Sequence, residues 1–500
     1  MSSEDAQRRQ EPSATYLLVG LIVLAFVLRF WRLGDWGFDS DETFTLRDSI
    51  DLNPSNPRPL LYLLNHYIVS PLVPLNELGL RLLPALFGVL AIPAFYFVAR
   101  RLVGTRAALF GALLLTFSSL HVYYSQFARY WTLVFLLSTI FPYFLYLGLR
   151  EHNRRLLILG ALLTILAALA HPVSILLVGG LGVWALVTYL RVDRFEQLWN
   201  QKTVRWTTWL LVVLAAAVAL RFVPLLREWI RMHDKKPGEG EFLLHLPGAP
   251  GVKQLSYLLG FVESLTPAVV LAGALGMYLL WQQRDRQLAL LLVCLSVFPL
   301  AFLVLLSLRT PVSTFYLVPV VPAVFIGAGV FLDHAAGVNW DIRPRWLVPA
   351  TLTVIIIAAG APTLLSQYRD GRRYDFRGAA GWLETQLAPQ DIVFSDQAKV
   401  MAYYLPSREV ERLRADPVPL VQSVFGLRRS GGSGVLWIVA PAPSHAFRTS
   451  PALERLKAWI YGNCQLRKTI GKGRMDFRQY YLQLYRCPAS GNPTPPITSE

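Results

Sequence analysis

Three carboxylates lie within four residues of the sequence, directly after an apolar run. Asp39, Asp41 and Glu42 belong to the stretch Trp36-Gly-Phe-Asp-Ser-Asp-Glu-Thr43. The preceding run, from about Tyr16 to Leu33, is long enough to cross the roughly 30 Å hydrocarbon core of a bilayer as a helix. The acidic cluster is therefore expected at a membrane surface, where low local dielectric raises a carboxyl pKa and suits it to act as a base near neutral pH. A solvated acidic loop without chemistry is the alternative, and these residues alone do not decide between the two.

A second group of polar residues lies in the stretch His121-Val-Tyr-Tyr-Ser-Gln-Phe-Ala-Arg129. Gln126 and Arg129 are three positions apart, so on a helix they would share a face and could together bind one phosphate. Each polar residue alone is more simply explained as a structural anchor at a helix end. Their common placement on the predicted side of the acidic cluster favours a functional site. The candidate binding residues are Asp39, His66, Arg81, Tyr124, Gln126, Arg129 and His171, with Glu77 nearby.

The composition indicates a multi-pass membrane protein. The 500 residues are 54% hydrophobic and only 16% charged, which is more apolar surface than a soluble core of this size requires. The net charge of +16 does not indicate nucleic-acid binding, because the lysines and arginines occur in short groups between apolar runs and form no basic stripe with interleaved aromatic residues. The first apolar segment lacks a small-residue cleavage site after it, so it is expected to be a retained helix.

Apolar runs of spanning length predict about eleven transmembrane helices. The short loops rich in arginine and lysine predict a cytoplasmic N-terminus, which places the acidic cluster, the long loop 226–253 and everything after 362 on the extracytoplasmic side. His171-Pro172 separates two of the runs so closely that a tight hairpin or a kinked re-entrant element is expected there. The predicted segments are 15–33, 82–99, 107–124, 131–149, 156–170, 173–190, 207–225, 255–281, 287–308, 314–333 and 346–362.

The tail changes character, and we predict three parts: a multi-pass membrane domain 1–362, an extracytoplasmic α/β domain 363–488 and a disordered end 489–500. A helical pattern at 376–387 is followed by strand-like runs 391–394, 435–439 and 480–485, separated by segments rich in Gly, Pro and Ser.

Two of the three cysteines, Cys464 and Cys487, lie in this tail, whereas Cys294 is in a predicted membrane helix. An extracytoplasmic domain can keep a disulfide, so we interpret Cys464 and Cys487 as a pair. Two buried free thiols are the alternative.

The order of motifs resembles a known family. The motifs are Leu33-Gly-Asp-Trp36 with Asp41-Glu42, Pro59-Leu-Leu-Tyr-Leu-Leu-Asn-His66, Glu77-Leu-Gly-Leu-Arg-Leu-Leu-Pro-Ala-Leu-Phe-Gly88 and Tyr123-Tyr-Ser-Gln-Phe-Ala-Arg129. In this order they are similar to the bacterial relatives of protein O-mannosyltransferases and aminoarabinose transferases. These are GT-C glycosyltransferases, family 39-like, that use polyprenyl-phosphate sugars. The resemblance is strongest over residues 15–190.

The resemblance implies roles for individual residues. The family's Asp-Glu pair corresponds to Asp41-Glu42, which makes Asp41 and Glu42 the candidate catalytic residues. Asp41 is implied as the base that deprotonates the acceptor hydroxyl, and Asp39 is a competitor for that role. The family's two motif arginines correspond to Arg81 and Arg129.

The sequence also departs from the family pattern. Phe127 stands where the family usually has Glu, Pro57-Arg58-Pro59 stands where it usually has His-Pro-Pro, and Phe315-Tyr-Leu replaces Arg-Tyr-Leu near the tenth helix. These changes argue against a family-type metal site and suggest altered substrate choice or an inactive relative.

The resemblance implies transfer of a hexose or pentose from a polyprenyl-phosphate donor to a hydroxyl of a lipid, polysaccharide or protein acceptor on the extracytoplasmic face. Such an enzyme aligns the hydroxyl with the anomeric carbon, removes its proton and stabilises the departing phosphate. A carboxylate suits the second task and arginine the third. The cofactor requirement stays open, since a divalent metal also stabilises a departing phosphate.

Two other classes of function remain. A transporter or flippase of lipid-linked saccharides is expected to carry ionisable residues near the midplane and paired repeats, which this sequence does not show clearly. A non-catalytic membrane scaffold or sensor explains the helices and the outer domain but leaves the acidic cluster beside arginine-bearing helix ends unexplained.

Overall fold

The computed structural model describes residues 3–53, 56–189, 252–283, 285–307, 312, 314–340, 343–344, 346–414, 420, 422–423, 434–441, 451–471 and 480–487. The chain divides into two compact units. The first unit contains Met1–Leu33, Asp48–His233 and Pro250–Leu364, and the second contains Gly34–Arg47, Asp234–Ala249 and Leu365–Glu500. The break before Leu365 is close to the predicted end of the membrane domain, but the grouping of residues 34–47 with the tail was not predicted.

The first unit is helical because its sequence is dominated by long apolar runs that satisfy their backbone polar groups only as helices. The described helices up to Asp370 are α1 (Ser3–Phe30), α2 (Ser40–Ile50), α3 (Pro59–Leu64), α4 (Glu77–Val103), α5 (Thr105–Thr116), α6 (Ser119–Ser125), α7 (Trp131–Arg150), α8 (Arg154–Ala170), α9 (Leu176–Tyr189), α10 (Val252–Leu265), α11 (Pro267–Gln283), α12 (Arg286–Ser307), α13 (Val321–Gly337) and α14 (Leu347–Asp370). Helix α2 lies mostly in the second unit, and α14 ends there. A π-helical turn covers Asn65–Val69, and 3₁₀ segments cover Pro172–Ile175 and Thr314–Val320.

The number of spanning helices differs from the prediction. Within the described residues, six helices are long and apolar enough to cross a membrane, or up to eight if each of two bent pairs is one span. The predicted total of about eleven is not confirmed, and the predicted segment 207–225 lies outside the described residues. Helices α5 and α6 meet at 60°, and the predicted segment 255–281 bends by 93° between α10 and α11.

A proline lies at two of the breaks between helices. Thr266, between α10 and α11, has a φ of 73°, and Pro267 follows it. Proline disfavours a helical conformation in the preceding residue, so one helix ends here and another begins. At His171-Pro172, α8 ends at Ala170, a 3₁₀ turn follows, and α9 starts at Leu176.

Small residues allow α11 and α13 to approach closely. A Cβ atom added to Gly276 would lie 1.7 Å from the carbonyl oxygen of Gly327, so neither helix accommodates a side chain at this crossing. Small residues at such crossings are typical of helix packing in membranes. An ion pair between Arg106 and Asp333 also joins α5 to α13.

The second unit contains a five-stranded mixed sheet with the strand order β2-β1-β3-β5-β4. Strand β1 is parallel to β2 and β3, while β5 is antiparallel to β3 and β4. The elements are α15 (Phe376–Glu384), β1 (Ile392–Ser395), α16 (Ala398–Tyr404), β2 (Val410–Arg412), β3 (Leu436–Pro441), α17 (Pro451–Asn463), β4 (Gln465–Ile470) and β5 (Leu482–Cys487).

The predicted strand runs overlap β1, β3 and β5, whereas β2 and β4 were missed. Strand β2 has only three residues, and β4 is almost wholly exposed, so neither contains a short apolar run like those of the predicted strands. Cys464 and Cys487 form a disulfide, and Cys294 is a buried free thiol. The predicted disordered end lies outside the described residues.

Candidate active site

The acidic loop, defined as Gly34–Arg47, belongs to the second unit, and its carboxylates organise the start of α2. Asp39 Oδ1 accepts from the Asp41 backbone N–H at 3.3 Å, and Glu42 Oε2 accepts from the Asp39 N–H at 2.9 Å. This reciprocal arrangement resembles a capping box, with an aspartate in place of Ser or Thr and the N–H of Asp41, one residue before Glu42, as the donor. The close spacing of the carboxylates therefore has a local structural cause.

Glu42 is also half of a buried ion pair. Its Oε2 lies 2.7 Å from Nη1 of Arg373, and the side chains are 0% and 2% exposed. Removing one partner of such a pair leaves an uncompensated buried charge, which is strongly destabilising. The geometry favours a role for Glu42 in holding the loop over one in proton transfer.

Asp39 is half-buried, and its pKa is raised. The largest cause is burial, followed by repulsion from Asp41, and the positive charge of Arg373 opposes both. A carboxyl group whose pKa moves towards neutrality is a better general base near pH 7 than an ordinary one. Asp41, in the first turn of α2, is also half-buried.

In the first unit, two arginines share one tyrosine hydroxyl. Arg58 Nη1 donates to the Tyr130 hydroxyl at 2.6 Å, and Arg129 Nη2 donates to the same oxygen at 3.3 Å. Both guanidinium groups also lie over the Tyr130 ring, at 5.3 and 4.9 Å from its centre. Arg129 Nη1 reaches the Tyr62 hydroxyl at 3.5 Å. We call Arg58, Tyr62, Arg129 and Tyr130 the arginine cluster.

This cluster holds two like charges close together in a largely buried setting. Arg129 is 8% exposed, Tyr130 is 1% exposed and Arg58 is half-buried. Two guanidinium groups converging on one point are suited to binding a dianionic phosphate.

His171 lies beside the arginine cluster. Its ring centre is 4.9 Å from that of Tyr130 and 5.0 Å from that of Trp131, with Tyr316 at 5.6 Å. Its Nδ1 accepts from the Val173 N–H, so the neutral ring carries its proton on Nε2. Of the predicted binding residues, the structure thus brings His171 and Arg129 together, with Tyr124 in ring contact with Trp131.

Other predicted binding residues have structural partners. Gln126 Nε2 donates to carbonyl oxygens at the end of α1, the closest being Trp31 at 2.8 Å. Arg81, fully buried, donates to the Leu33 carbonyl oxygen, and His66 Nδ1 lies 2.8 Å from the Ser49 carbonyl oxygen. Helix α6 ends at Ser125, so Gln126 and Arg129 do not share a helix face as the sequence suggested.

Phe127 and Arg58, two of the positions where the sequence departs from the family motifs, have different surroundings in the structure. Phe127 is buried and stacks on Tyr123 with ring centres 5.4 Å apart, so an aromatic contact occupies this position. Arg58 joins the arginine cluster. Sequence reasoning noted Arg58 only as a departure, and it missed Tyr130, although an aromatic residue directly after a motif arginine is a detectable signal. Arg373 gave no signal, because it is 331 positions from Glu42.

The carboxylates do not fit a metal site. No group of three or more His, Cys, Asp or Glu side chains suited to an ion occurs in the part of the chain that the structure describes. Glu42 is engaged by Arg373, and Asp39 Oδ1 by the start of α2.

Comparisons with known proteins agree with the motif resemblance. Residues 58–222 match the family model described as dolichyl-phosphate-mannose-protein mannosyltransferase. ArnT from Cupriavidus metallidurans, in its apo state, superposes with a TM-score of 0.56 at 17% identity, covering 96% of this chain and 99% of that one. The chain therefore shares the fold of this ArnT structure.

Two further structures support this assignment. ArnT from the same organism bound to undecaprenyl phosphate gives a TM-score of 0.55 at 17% identity, covering 95% of this chain and 99% of that one. The oligosaccharyltransferase AglB from Archaeoglobus fulgidus, in complex with an inhibitory peptide and a dolichol-phosphate, gives 0.55 at 12% identity over 86% of this chain and 70% of that one. A sequence search against curated proteins found no significant match. The predicted resemblance to GT-C glycosyltransferases of the ArnT and protein mannosyltransferase type is confirmed, and the transporter alternative is not favoured.

Proposed function

We propose that the chain is a membrane glycosyltransferase that transfers a sugar from a polyprenyl-phosphate donor to an acceptor hydroxyl. The observation that carries this proposal is the arginine cluster, whose four residues all lie within the region matching the mannosyltransferase model. The solved GT-C structures with bound undecaprenyl phosphate or dolichol-phosphate support this class of donor.

In the proposed reaction the acceptor oxygen bonds to the anomeric carbon as the bond from that carbon to the phosphate oxygen breaks. The polyprenyl phosphate leaves with the bonding electrons, and Arg58 and Arg129 stabilise its charge. Both guanidinium groups are oriented by Tyr130 before the phosphate arrives, so little reorganisation is needed as charge develops.

The acceptor proton passes to a carboxylate of the acidic loop, and we assign this role to Asp41. The assignment rests on its match to the family's Asp-Glu pair and on the roles of its neighbours, since Asp39 caps α2 and Glu42 pairs with Arg373. Asp39, with its raised pKa, is the competing base.

We also propose that the N-terminus is cytoplasmic and that the second unit lies on the extracytoplasmic side, in a cell membrane. The loop charges support this orientation. An alkaline phosphatase reporter, which is active only outside the cytoplasm, should be active when fused after residue 365. An inactive reporter in that fusion, with the same reporter active after residue 101, would reverse the orientation.

The decisive experiment incubates purified protein with a panel of radiolabelled polyprenyl-phosphate sugars and follows release of the lipid phosphate. Asp41→Asn preserves size and hydrogen bonding but removes basicity, so turnover should fall by roughly 10²–10⁴-fold while donor binding survives. Asp39→Asn is the matched control, because Asn caps a helix about as well as Asp. Loss of turnover in Asp39→Asn alone would move the base to Asp39, and full activity in both variants would remove the acidic loop from the chemistry.

A further inference from the structure

Residues far along the chain hold the acidic loop within the second unit. The strongest contact is the ion pair between Glu42 and Arg373, which are both almost completely excluded from solvent. The same Glu42 oxygen accepts the Asp39 N–H, so one carboxylate ties the start of α2 to the segment after α14. Any movement of Arg373 is therefore transmitted to the backbone between Asp39 and Glu42.

A second contact anchors the loop at Phe38. The Phe38 N–H donates to the Tyr404 hydroxyl at 2.6 Å, and the fully buried Phe38 ring meets the Tyr403 ring edge-on at 5.1 Å. A Cβ atom on Gly37 would lie 3.1 Å from Arg377 Cβ and 3.2 Å from the Tyr404 oxygen, so the backbone passes close to these side chains.

A third contact lies at Gly371. This residue has a φ of +69°, and a Cβ atom there would be 2.6 Å from the Trp36 ring. Glycine is required both for the left-handed backbone and for the close approach of the indole. The turn at Gly371 then leads directly to Arg373, whose Nε donates to the Gly371 carbonyl oxygen at 3.1 Å.

We propose that Arg373 is a positioning residue for sugar transfer, acting through Glu42, and that Tyr404 is a second positioning residue, acting through the Phe38 backbone. This inference rests on the proposed function, in which the acidic loop accepts the proton of the acceptor. Arg373 is itself too buried to contact a substrate. Arg373 neutralises the charge of Glu42, one of the three carboxylates of the loop. It thereby fixes the backbone that positions Asp39 and Asp41.

The alternative is that these contacts only stabilise the folded protein. A stabilising role predicts that variants which still fold keep normal turnover. A positioning role predicts lost turnover at saturating donor without weaker donor binding, because a misplacement of about 1 Å costs on the order of 100-fold in rate.

The test uses the full-length protein in nanodiscs with Arg373→Gln, Arg373→Lys, Glu42→Gln and the Glu42→Gln/Arg373→Gln double variant. Arg369→Gln is the matched control, because Arg369 pairs with its neighbour Asp370 at 3.0 Å. Hydrogen exchange of the amides of residues 38–43 reports the loop directly, and kcat and donor KM are measured on the same samples.

We expect Arg373→Gln to lose exchange protection across residues 39–43 and roughly 100-fold in kcat with little change in donor KM. Arg373→Lys should recover part of both, and the double variant should be no worse than Glu42→Gln, because contacting residues are not additive. The Arg369→Gln control should behave as the unmodified protein.

If Arg373→Gln does not fold, Tyr404→Phe provides the test, since it removes the hydroxyl that accepts the Phe38 N–H and keeps the aromatic ring. It should increase exchange at Phe38 and lower kcat, with donor KM unchanged. Unchanged exchange in folded Arg373→Gln and Tyr404→Phe would overturn the inference, as would normal kcat despite a disordered loop. If the unmodified protein transfers no sugar from any donor, the proposed function fails, and the exchange data still decide whether Arg373 and Tyr404 hold the loop.

Discussion

The Tyr130 hydroxyl provides the most direct test of the arginine cluster. Tyr130→Phe retains the ring on which both guanidinium groups lie but removes the oxygen that accepts from Arg58 and Arg129. Without that oxygen the two cations repel each other with no shared acceptor, and half-buried Arg58 can turn towards solvent. The donor must then order both side chains again when it binds.

The structure sets the scale of this effect. Ordering a long side chain costs about 0.5–1.5 kcal/mol, so two arginines together should cost about 2 kcal/mol. Because about 1.4 kcal/mol corresponds to a tenfold change, the Kd for a polyprenyl phosphate should rise roughly 30-fold. The measurement is titration of a polyprenyl phosphate into the protein in nanodiscs, by calorimetry or thermophoresis.

Tyr146→Phe is the matched control for this prediction. Tyr146 lies on α7, the helix that begins directly after Tyr130. It is fully buried and accepts a hydrogen bond from Arg150 at 3.0 Å. It is about 24 Å along the helix from Tyr130, at a rise of about 1.5 Å per residue. The control should bind the lipid phosphate with unchanged affinity. Equal affinity in Tyr130→Phe and the unmodified protein would refute preorganisation by Tyr130, and tighter binding would show that its hydroxyl competes with the phosphate.

Three further predictions concern stability. Burial raises the pKa of Asp396 to about 7, so the protonated form is favoured in the folded state. The free energy of unfolding should therefore fall by up to roughly 4 kcal/mol as the pH rises from about 4 to about 7. Thermal unfolding measured against pH should lose this slope in Asp396→Asn, and a slope that persists would contradict the assignment. Gln126→Leu removes a donor to the carbonyl oxygens ending α1 and should cost about 1–3 kcal/mol, seen as a lower unfolding temperature, whereas exposed Gln282→Leu should not. Reducing the disulfide between Cys464 and Cys487, which are 23 positions apart, should destabilise the second unit by about 3 kcal/mol. Tryptic peptides prepared without reductant should be linked through this disulfide. Alkylation of both thiols without reductant would contradict the disulfide.

The sequence was most informative where one local pattern determines the outcome. The apolar runs identified the helical class, short strand-like runs between Gly-, Pro- and Ser-rich segments predicted β1, β3 and β5, and ordered motifs predicted the GT-C resemblance. Arg129 and His171 were both named as binding residues, and both lie at the arginine cluster. In these cases the relevant signal lies within a few residues of the position it describes.

The predictions were less successful where distant residues decide. Gln126 reads as a ligand beside Arg129, but it bonds to the end of α1, almost a hundred positions earlier. Hydropathy alone does not reveal that α5 and α6 are separate helices at 60° to each other. The partner of Glu42 follows the last membrane helix, and no local pattern connects it to the acidic loop.

The ion pair of Glu42 with Arg373 also explains how three carboxylates can be so close in sequence. Asp39 and Asp41 raise each other's energy when both are ionised, and a third uncompensated charge would add to that repulsion. Arg373 cancels the charge of Glu42, and it also lowers the pKa of Asp39 against the effects of burial and Asp41. Arg373 therefore favours the ionised form of Asp39 in this loop. Because Arg373 belongs to the tail, the capacity of the acidic loop to accept a proton depends on the folding of the second unit.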